Sequence, residues 1–425
     1  MMSERPVVVV GAGLAGLAAA TELARAGLVV LVVDQAQAPG GAVHRQPLEG
    51  VRPVASAAQA RRWSGVLAGV QAQGARITLR CGTRFGGVDH TGAVLLSGAL
   101  NALIRPRALV LAVGAREAVQ PRPGWTLPGV MTAGAIQTRI KTLAEAPPGR
   151  VLLAGSGPLL LAVGAEMCRL GRPPVAIIEA ARPLHPLAAL GLPLAYLTEA
   201  AGYLARLLRA RVPLYWGAHL TRIETGEAGL LAHFDTSKGP RRIGAEVIGL
   251  HDGIRPNDAG LTASAALPVL RLGDCREALG ARAALADGSA GGAALAARLL
   301  GRAAPPAAPE LDRQRAAQAR LARIYAHDGA ARLADLPDDT VICRCEMRTL
   351  ADLRALGPAP TARALRLDGR FAMGACQGRF CAEWVGRIIA PTTAPQPIGA
   401  TRWPTRPIAV ADLLAASEDL EGETE

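Results

Sequence analysis

Two stretches of the chain share one hydrophobic pattern: an unbroken apolar run, a glycine-punctuated turn, an alanine- and leucine-rich segment, a second apolar run and then an acid. The first is Val7-Val8-Val9-Val10, Gly11-Ala12-Gly13-Leu14-Ala15-Gly16, a segment ending near Gly27, residues 29–33 and Asp34. The second is residues 150–153, Gly155-Ser156-Gly157-Pro158-Leu159-Leu160, a segment to about Leu170, residues 175–178 and Glu179. Short apolar runs without alternation predict strands buried on both faces, and the glycine turn followed by good helix formers completes a βαβ unit with parallel strands. Further buried strands are predicted at residues 108–113 before Gly114-Ala115-Arg116, at 247–250 before Asp252-Gly253 and Pro256, and at 269–272 before Gly273-Asp274. The proline-bearing stretch 302–309 predicts a linker, residues 310–325 a charged helix, and the composition changes again after about Val341 to a small cysteine-bearing unit. The acidic tail 418–425 is expected to be disordered.

Composition narrows the function classes. A chain of 425 residues, half of them apolar, has room for two or three packed domains. The net charge of +12 would ordinarily suggest a nucleic-acid or membrane-surface partner. Here the basic residues are almost all arginine and are scattered, with no aromatic-interleaved stripe, so neither partner is expected. The apolar stretches 151–170 and 184–208 are interrupted by glycine, proline, glutamate or arginine, so no membrane span is expected, and the N-terminus carries no signal-peptide pattern. A cytoplasmic, reducing location follows as the expectation. In that setting seven cysteines point to metal binding or catalysis before disulfides.

Strand, glycines, helix, strand and acid together suit an adenine dinucleotide. A diphosphate needs backbone N–H donors and a helix N-terminus with nothing bulky between. Gly11 permits the tight turn, Gly13 the approach of the main chain to the pyrophosphate, and Gly16 the packing of helix on strand, with Leu14 and Ala15 in the same turn. Asp34, 23 residues after Gly11, is placed for the adenosine ribose. The second fingerprint is damaged: Leu160 stands at its third glycine position, which disfavours a productive nicotinamide site, and Glu179 would exclude a 2′-phosphate. NAD is therefore not expected as a cofactor.

Three further features resemble the two-dinucleotide flavoproteins related to thioredoxin reductase: Gly40-Gly41 after Asp34, Ala112-Val113-Gly114 at a turn, and Gly273-Asp274, where the resemblance implies an aspartate meeting the ribityl chain of FAD. Cys81, Cys168 and Cys275 offer no closely spaced pair, so disulfide reduction is disfavoured and each is expected to be a structural thiol.

The sharpest signal is Cys343-Arg344-Cys345, thirty residues, then Cys376 and, after four more, Cys381. Four soft thiolates bind zinc or an iron-sulfur cluster. The single-residue spacing and the glycine-flanked second pair favour 2Fe-2S, with Gly374 and Gly378 allowing close backbone approach and Arg344 and Arg379 offsetting negative charge; zinc is the alternative. Cys343-Arg344-Cys345-Glu346 with Met373 through Cys381 resembles the bacterioferritin-associated-ferredoxin type of 2Fe-2S domain. Joined to the N-terminal unit, and with Gly40 through Arg45, the segment Pro123-Gly124-Trp125 through Pro128-Gly129-Val130, Arg402-Trp403-Pro404 and Arg406-Pro407, it resembles the nucleotide-binding subunit of opine oxidases, hydroxyproline and proline dehydrogenases and hydrogen cyanide synthase. Residues 45–109 are short for that family, and Val113 replaces threonine.

The resemblance implies an α/β fold in which an FAD-binding domain (1–120 and 259–301) is interrupted by an NAD-like Rossmann domain (121–258). A linker and helix (302–338), a small helical 2Fe-2S domain (339–392) and a C-terminal tail (393–425) follow. It implies FAD, or another adenine nucleotide, at Gly11, Gly13, Leu14, Ala15, Gly16, Asp34, Gly41, Arg45, Gly114, Gly273 and Asp274, and a 2Fe-2S cluster on Cys343, Cys345, Cys376 and Cys381. It further implies that substrate oxidation occurs on a partner flavoprotein resembling D-amino-acid oxidase, with room for a further small iron-sulfur protein, and that this chain carries the electrons onward. No catalytic acid, base or nucleophile is predicted here: the seven histidines are scattered. A self-sufficient NADH-dependent reductase and a zinc-stabilised scaffold are the other two readings.

Overall fold

The structure, a computed structural model, describes residues 5–182, 191–227, 229–258, 266–303, 306, 309–327, 331–390, 398 and 403–421. Arg402, much of the 302–309 linker and residues 422–425 lie outside the described residues.

The N-terminal pattern folds as β1 (Val7–Val10), α1 (Leu14–Arg25) and β2 (Val30–Asp34), followed by α2 (Ala57–Gln71), β3 (Ile77–Cys81), the antiparallel meander β4 (Thr83–Val88), β5 (Val94–Gly98) and β6 (Ala102–Ile104), then β7 (Ala108–Leu111) and β8 (Ala115–Glu117). The second unit comprises β9 (Val130–Thr132), α3 (Ala133–Leu143), β10 (Val151–Gly155), α4 (Pro158–Arg169), β11 (Ala176–Glu179), α5 (Leu194–Arg209) and β12 (Leu214–Trp216). A second meander follows, β13 (His219–Gly226), β14 (Gly229–Thr236) and β15 (Gly239–Ala245), and then β16 (Val247–His251). The chain returns through β17 (Ile254–Pro256) and β18 (Val269–Arg271) to α6 (Ala281–Leu299) and α7 (Pro309–Ile324). It ends in β19 (Val341–Cys343), β20 (Arg348–Thr349), α8 (Leu350–Arg354), α9 (Ala362–Leu367), α10 (Ala382–Ile389) and α11 (Val410–Glu421).

Two five-stranded sheets organise the body, ordered β18-β7-β1-β2-β3 and β12-β11-β10-β16-β9, and every pairing within them is parallel. Val7, Val8 and Val9 are fully buried, as a strand covered on both faces requires. Since β18 joins a sheet whose other strands precede Ala112, the second unit is an insertion between two parts of the first. On one face α1 lies against α6 at backbone contact: a Cβ on Gly288 would sit 2.3 Å from the Ala15 carbonyl oxygen, and one on Gly292 would sit 2.7 Å from Ala19 Cα.

The cysteine-bearing unit has its own core of Ile342, Leu350, Phe371 and Val385 around Cys343 and Cys381. It is fastened to the body: the Trp125 indole N–H donates to the Val341 carbonyl at 2.7 Å, Trp384 packs on Ala118, and Glu383 pairs with Arg255 at 3.1 Å. The acidic tail departs from expectation, because α11 continues to Glu421. Its apolar residues anchor it on β5 and β6, with Ala416 buried, and glutamate and leucine extend a helix once it is started. Among the described residues no helix is long and apolar enough to cross a membrane.

Candidate functional site

A cavity of about 1700 Å³ runs from the first glycine turn, between the two sheets, to the cysteine-bearing unit. Its first wall is built by β1, the turn and α1. Gly11 has φ +108°, and a side chain there would drive into the Ala112 carbonyl oxygen, 2.3 Å from its Cβ. A Cβ on Gly16 would fall 1.8 Å from the Gly11 carbonyl oxygen. The helix N-terminus is thus pressed onto the turn, with uncapped N–H groups facing the cavity and no acidic side chain in its first turn.

Of the predicted nucleotide residues, Gly11, Gly13, Leu14, Ala15 and Asp34 line this cavity, joined by Gly41, Arg45, Gly114 and Asp274 from three other segments. Gly16 and Gly273 do not line it; they stand behind, Gly16 on the Gly11 carbonyl and Gly273 on the Ala15 methyl. Asp34 holds the turn, accepting from the Ala12 N–H at 2.6 Å and the Ala36 N–H at 2.8 Å. Asp274 accepts from the N–H groups of Leu279 and Gly280 on one oxygen, and burial raises its pKa.

The loop carrying Gly41 and Arg45 is tied to the inserted unit by Lys141, whose ammonium donates to the carbonyls of Ala42 and Val43 at 3.0 and 3.2 Å. Lys141 and Glu166 are both buried and both line the cavity. Burial lowers the first pKa and raises the second, each opposed by the other's charge. His44, stacked on Trp63 at 5.5 Å, is pushed down to about 4 by burial and then by the charges of Arg62 and Lys141.

The second fingerprint repeats the first, and its turn residues Ser156, Gly157 and Pro158 line the same cavity. Glu179 accepts from the Gly157 and Ala181 N–H groups, both at 2.9 Å, just as Asp34 does in its own turn. Unlike Asp34, it is 1% exposed and absent from the cavity lining, and burial pushes its pKa up to about 7. Leu160 is fully buried beneath the turn. Tyr325, at the end of α7, lies over this turn: its carbonyl accepts from the Ser156 hydroxyl at 3.4 Å, and burial first and the Glu179 charge second raise its phenol.

The four predicted ligand cysteines come together from two loops. Cys343 and Cys381 are buried, Cys376 is half-buried and Cys345 exposed. Side-chain hydrogen bonding links Cys343 with Cys381 and Cys345 with Cys376, and charge couples Cys345 to Cys343 and Cys381 to Cys376. Among the described residues no three ligating side chains converge on one point. The Cys381 thiol, with backbone N–H groups of Glu346, Ala372 and Cys345, holds Cys343 down to about 6, and Cys381 is raised as the donor. Met347, Arg370, Ala372 and Gln377 all have positive φ, so both loops are bent through the left-handed region around the thiols. Gly374 leaves room for the Cys345 methylene, 2.4 Å from where a Cβ would stand. Arg379 donates to the Cys376 carbonyl at 3.0 Å and also lines the nucleotide cavity.

The remaining cysteines, Cys81, Cys168 and Cys275, stand apart from these, each with its pKa raised by burial. The sequence gives no sign of one feature of the cavity wall: His251 at the end of β16 pairs through Nδ1 with Glu117 at 2.9 Å, a contact between residues 134 positions apart. The facing into the cavity of Arg116, beside the Gly114 turn, and of Arg406, in the Arg406-Pro407 segment, was equally invisible.

Two parallel sheets, one interrupted by the other, with a glycine-turn cavity between them, are the fold of a pyridine nucleotide-disulphide oxidoreductase, and residues 5–275 match that family. Over 96% of its length the chain is 32% identical to hydrogen cyanide synthase subunit HcnB of Pseudomonas aeruginosa, of which it covers 97%. Over 97% of its length it is 31% identical to an opine oxidase subunit of Rhizobium meliloti, of which it covers 100%. The chain belongs to this family of flavoprotein oxidoreductase subunits. The fold of L-proline dehydrogenase from P. horikoshii is similar, with a TM-score of 0.60 and 14% identity over 97% of this chain and 79% of that one.

Proposed function

We propose that the chain is the electron-carrying subunit of a heteromeric flavin-dependent dehydrogenase or oxidase that acts on CH–NH bonds of an amino acid or opine and hands electrons from a separate catalytic flavoprotein to an external acceptor. In this reading the Gly11 turn and Asp34 hold the adenosine diphosphate of FAD, and Cys343, Cys345, Cys376 and Cys381 hold a 2Fe-2S cluster. The observation that carries it is the meeting of Cys343, Cys345, Cys376 and Cys381 from two segments thirty residues apart, close enough for each thiol to interact with another. Four such thiolates suit a binuclear cluster or a structural zinc, and metal and sulfide content separates the two. Backbone N–H groups aimed at Cys343 favour the anionic sulfur that either metal needs, and the left-handed loops around the thiols would supply further main-chain N–H groups to offset a cluster's negative charge.

When bound, FAD supplies acceptance of a hydride's two electrons, and the cluster supplies single-electron transfer. The chain's own residues do the positioning. The α1 N-terminus and the glycine turn neutralise the diphosphate, Asp34 and Asp274 fix the nucleotide's hydroxyls, and Trp125, Arg255 and Trp384 hold the cysteine unit against the cavity. The relatives are each named as one subunit of an enzyme, which supports a partner chain, and the partner is expected to resemble D-amino-acid oxidase.

An anaerobic visible spectrum of the purified chain, with iron, zinc and acid-labile sulfide analysis, tests the reading. Equal iron and sulfide with flavin bands is the expected result, and zinc without sulfide would overturn the cluster. Bleaching by NADH alone would favour a self-sufficient reductase, which buried Leu160, buried Glu179 and overlying Tyr325 speak against.

A further inference from the structure

β8 and β17 form a two-stranded antiparallel ladder in which Arg116 stands directly opposite Arg255. Like charges at facing positions destabilise such a pair unless something offsets them. Arg255 has its carboxylate: Glu383 lies 3.1 Å away, and Glu383 also serves Arg387 at 2.9 Å. Arg116 has none within ion-pair distance among the described residues; it is half-buried, its Nε is buried without a hydrogen-bond partner, and it faces the nucleotide cavity. Two more arginines face the same space. Arg379 comes from the cysteine loop, and Arg406 from the C-terminal segment that Thr405 pins to the Gly86 carbonyl at 2.7 Å. Arg406 reaches Gln35, next to Asp34, at 3.1 Å, and its Nε is likewise buried and unpartnered. Burial, and then the other arginines, depress the pKa of both Arg116 and Arg406, although Glu383 and Asp258 oppose this at Arg116. Three guanidinium groups from three distant segments therefore converge on a cavity that already has a helix N-terminus, and two of them, Arg116 and Arg406, bring a buried Nε with no hydrogen-bond partner.

We infer that Arg116, Arg379 and Arg406 form a phosphate-binding subsite that closes over the phosphate chain of the adenine nucleotide, so that this ligand is gripped from the glycine turn on one side and from the cysteine loop and C-terminal segment on the other. The inference rests on the reading of the Gly11 turn as a nucleotide site. Guanidinium groups suit phosphate because their planar N–H forks match its oxygens. Arg379 gives the subsite a second meaning, since the same side chain braces the Cys376 carbonyl; the nucleotide and the cysteine loop share a wall.

The test is equilibrium binding of ADP and of adenosine to the full-length chain freed of co-purified nucleotide, for wild type, R116Q, R406Q and G11V. The expected result is that R116Q and R406Q each weaken ADP tenfold or more, which is about 1.4 kcal/mol, and leave adenosine unchanged. Unchanged ADP affinity in both, with G11V abolishing ADP and adenosine alike, would overturn the arginine subsite while the nucleotide reading stands. Wild type that binds neither ADP, adenosine nor FAD would overturn the nucleotide reading, and the subsite with it. Should R116Q fail to fold, R116K and the salt dependence of wild-type binding decide: ADP affinity must fall with ionic strength while adenosine affinity does not, and identical salt responses would refute the subsite.

Discussion

A single methyl group at residue 374 should empty the cysteine site without unfolding the chain. Gly374 is buried, and a Cβ built on it lies 2.4 Å from the Cys345 Cβ. Carbon atoms in contact prefer about 3.5–4.0 Å, so in Gly374→Ala one of the two loops must give by roughly 1.1–1.6 Å. Liganding side chains tolerate displacements of only about 0.5 Å. The backbone of Gly374 is not left-handed, so the strain is contact alone, and overpacking of this kind costs about 1–3 kcal/mol. Cys345 is exposed and can yield outward, which places the expected loss of stability near the lower end. Iron and sulfide per chain should fall below a tenth of wild type, while the melting temperature drops by a few degrees and ADP affinity is retained. Wild-type iron and sulfide in Gly374→Ala would refute the reasoning, because Cys345 would then not be a ligand held by this contact.

Other perturbations have equally definite outcomes. Cys343→Ser and Cys376→Ser should each lose iron and sulfide while FAD content persists; loss of both cofactors together would show that the two sites do not form separately. His44, neutral when folded because its pKa is pushed down to about 4, contributes stability that is present above pH 6.5 and is lost as pH falls from 6.5 toward 4. The loss should be roughly 3–4 kcal/mol at about 1.4 kcal/mol per unit, read as a fall in urea midpoint that His44→Gln shows less steeply. Arg122 and Asp252 form a buried pair at 2.5 Å, each less than a tenth exposed. Asp252→Ala, which strands a buried guanidinium, should therefore cost about 3–5 kcal/mol in denaturant unfolding, and a change under 1 kcal/mol would contradict the burial. NADH should leave the visible spectrum of the wild-type chain unchanged, which an anaerobic titration checks.

How much of this was legible beforehand depended on whether the signal was local. β1 to β2 and β10 to β11 were readable because a buried parallel strand writes its burial into an unbroken apolar run and the glycine turn follows at once. Strand 108–113 ended earlier than read, at Leu111, because Ala112 and Gly114 turn around Gly11. α2 escaped notice although Ser56 and Gln59 form a capping box at its start; its polar composition hides the periodicity. The meander β13 to β15 was missed although β14 alternates buried Leu230, Ala232 and Phe234 with less buried neighbours, because β15, with Gly239, Pro240, Arg241 and Arg242, reads as a loop. The cysteine spacing named a candidate ligand set, but not its pairing, which arises from two loops 30 residues apart. The charge convergence of Arg116, Arg379 and Arg406 leaves no trace in sequence, because nothing local tells a cavity arginine from a surface one. The same is true of Tyr325, whose position over the second turn depends on where α7 docks.

Glu179 and Asp34 make the same two bonds to their own backbones, yet only Asp34 keeps a side open to the cavity. A fold that reserves a carboxylate for a ligand gains stability in proportion to the logarithm of ligand supply. On the proposed reading the inserted unit, with its carboxylate turned inward, would draw no such stabilisation from a nicotinamide nucleotide. The first unit would draw it from flavin. Cellular abundance of the chain should therefore follow flavin supply and be deaf to swings in the nicotinamide pool.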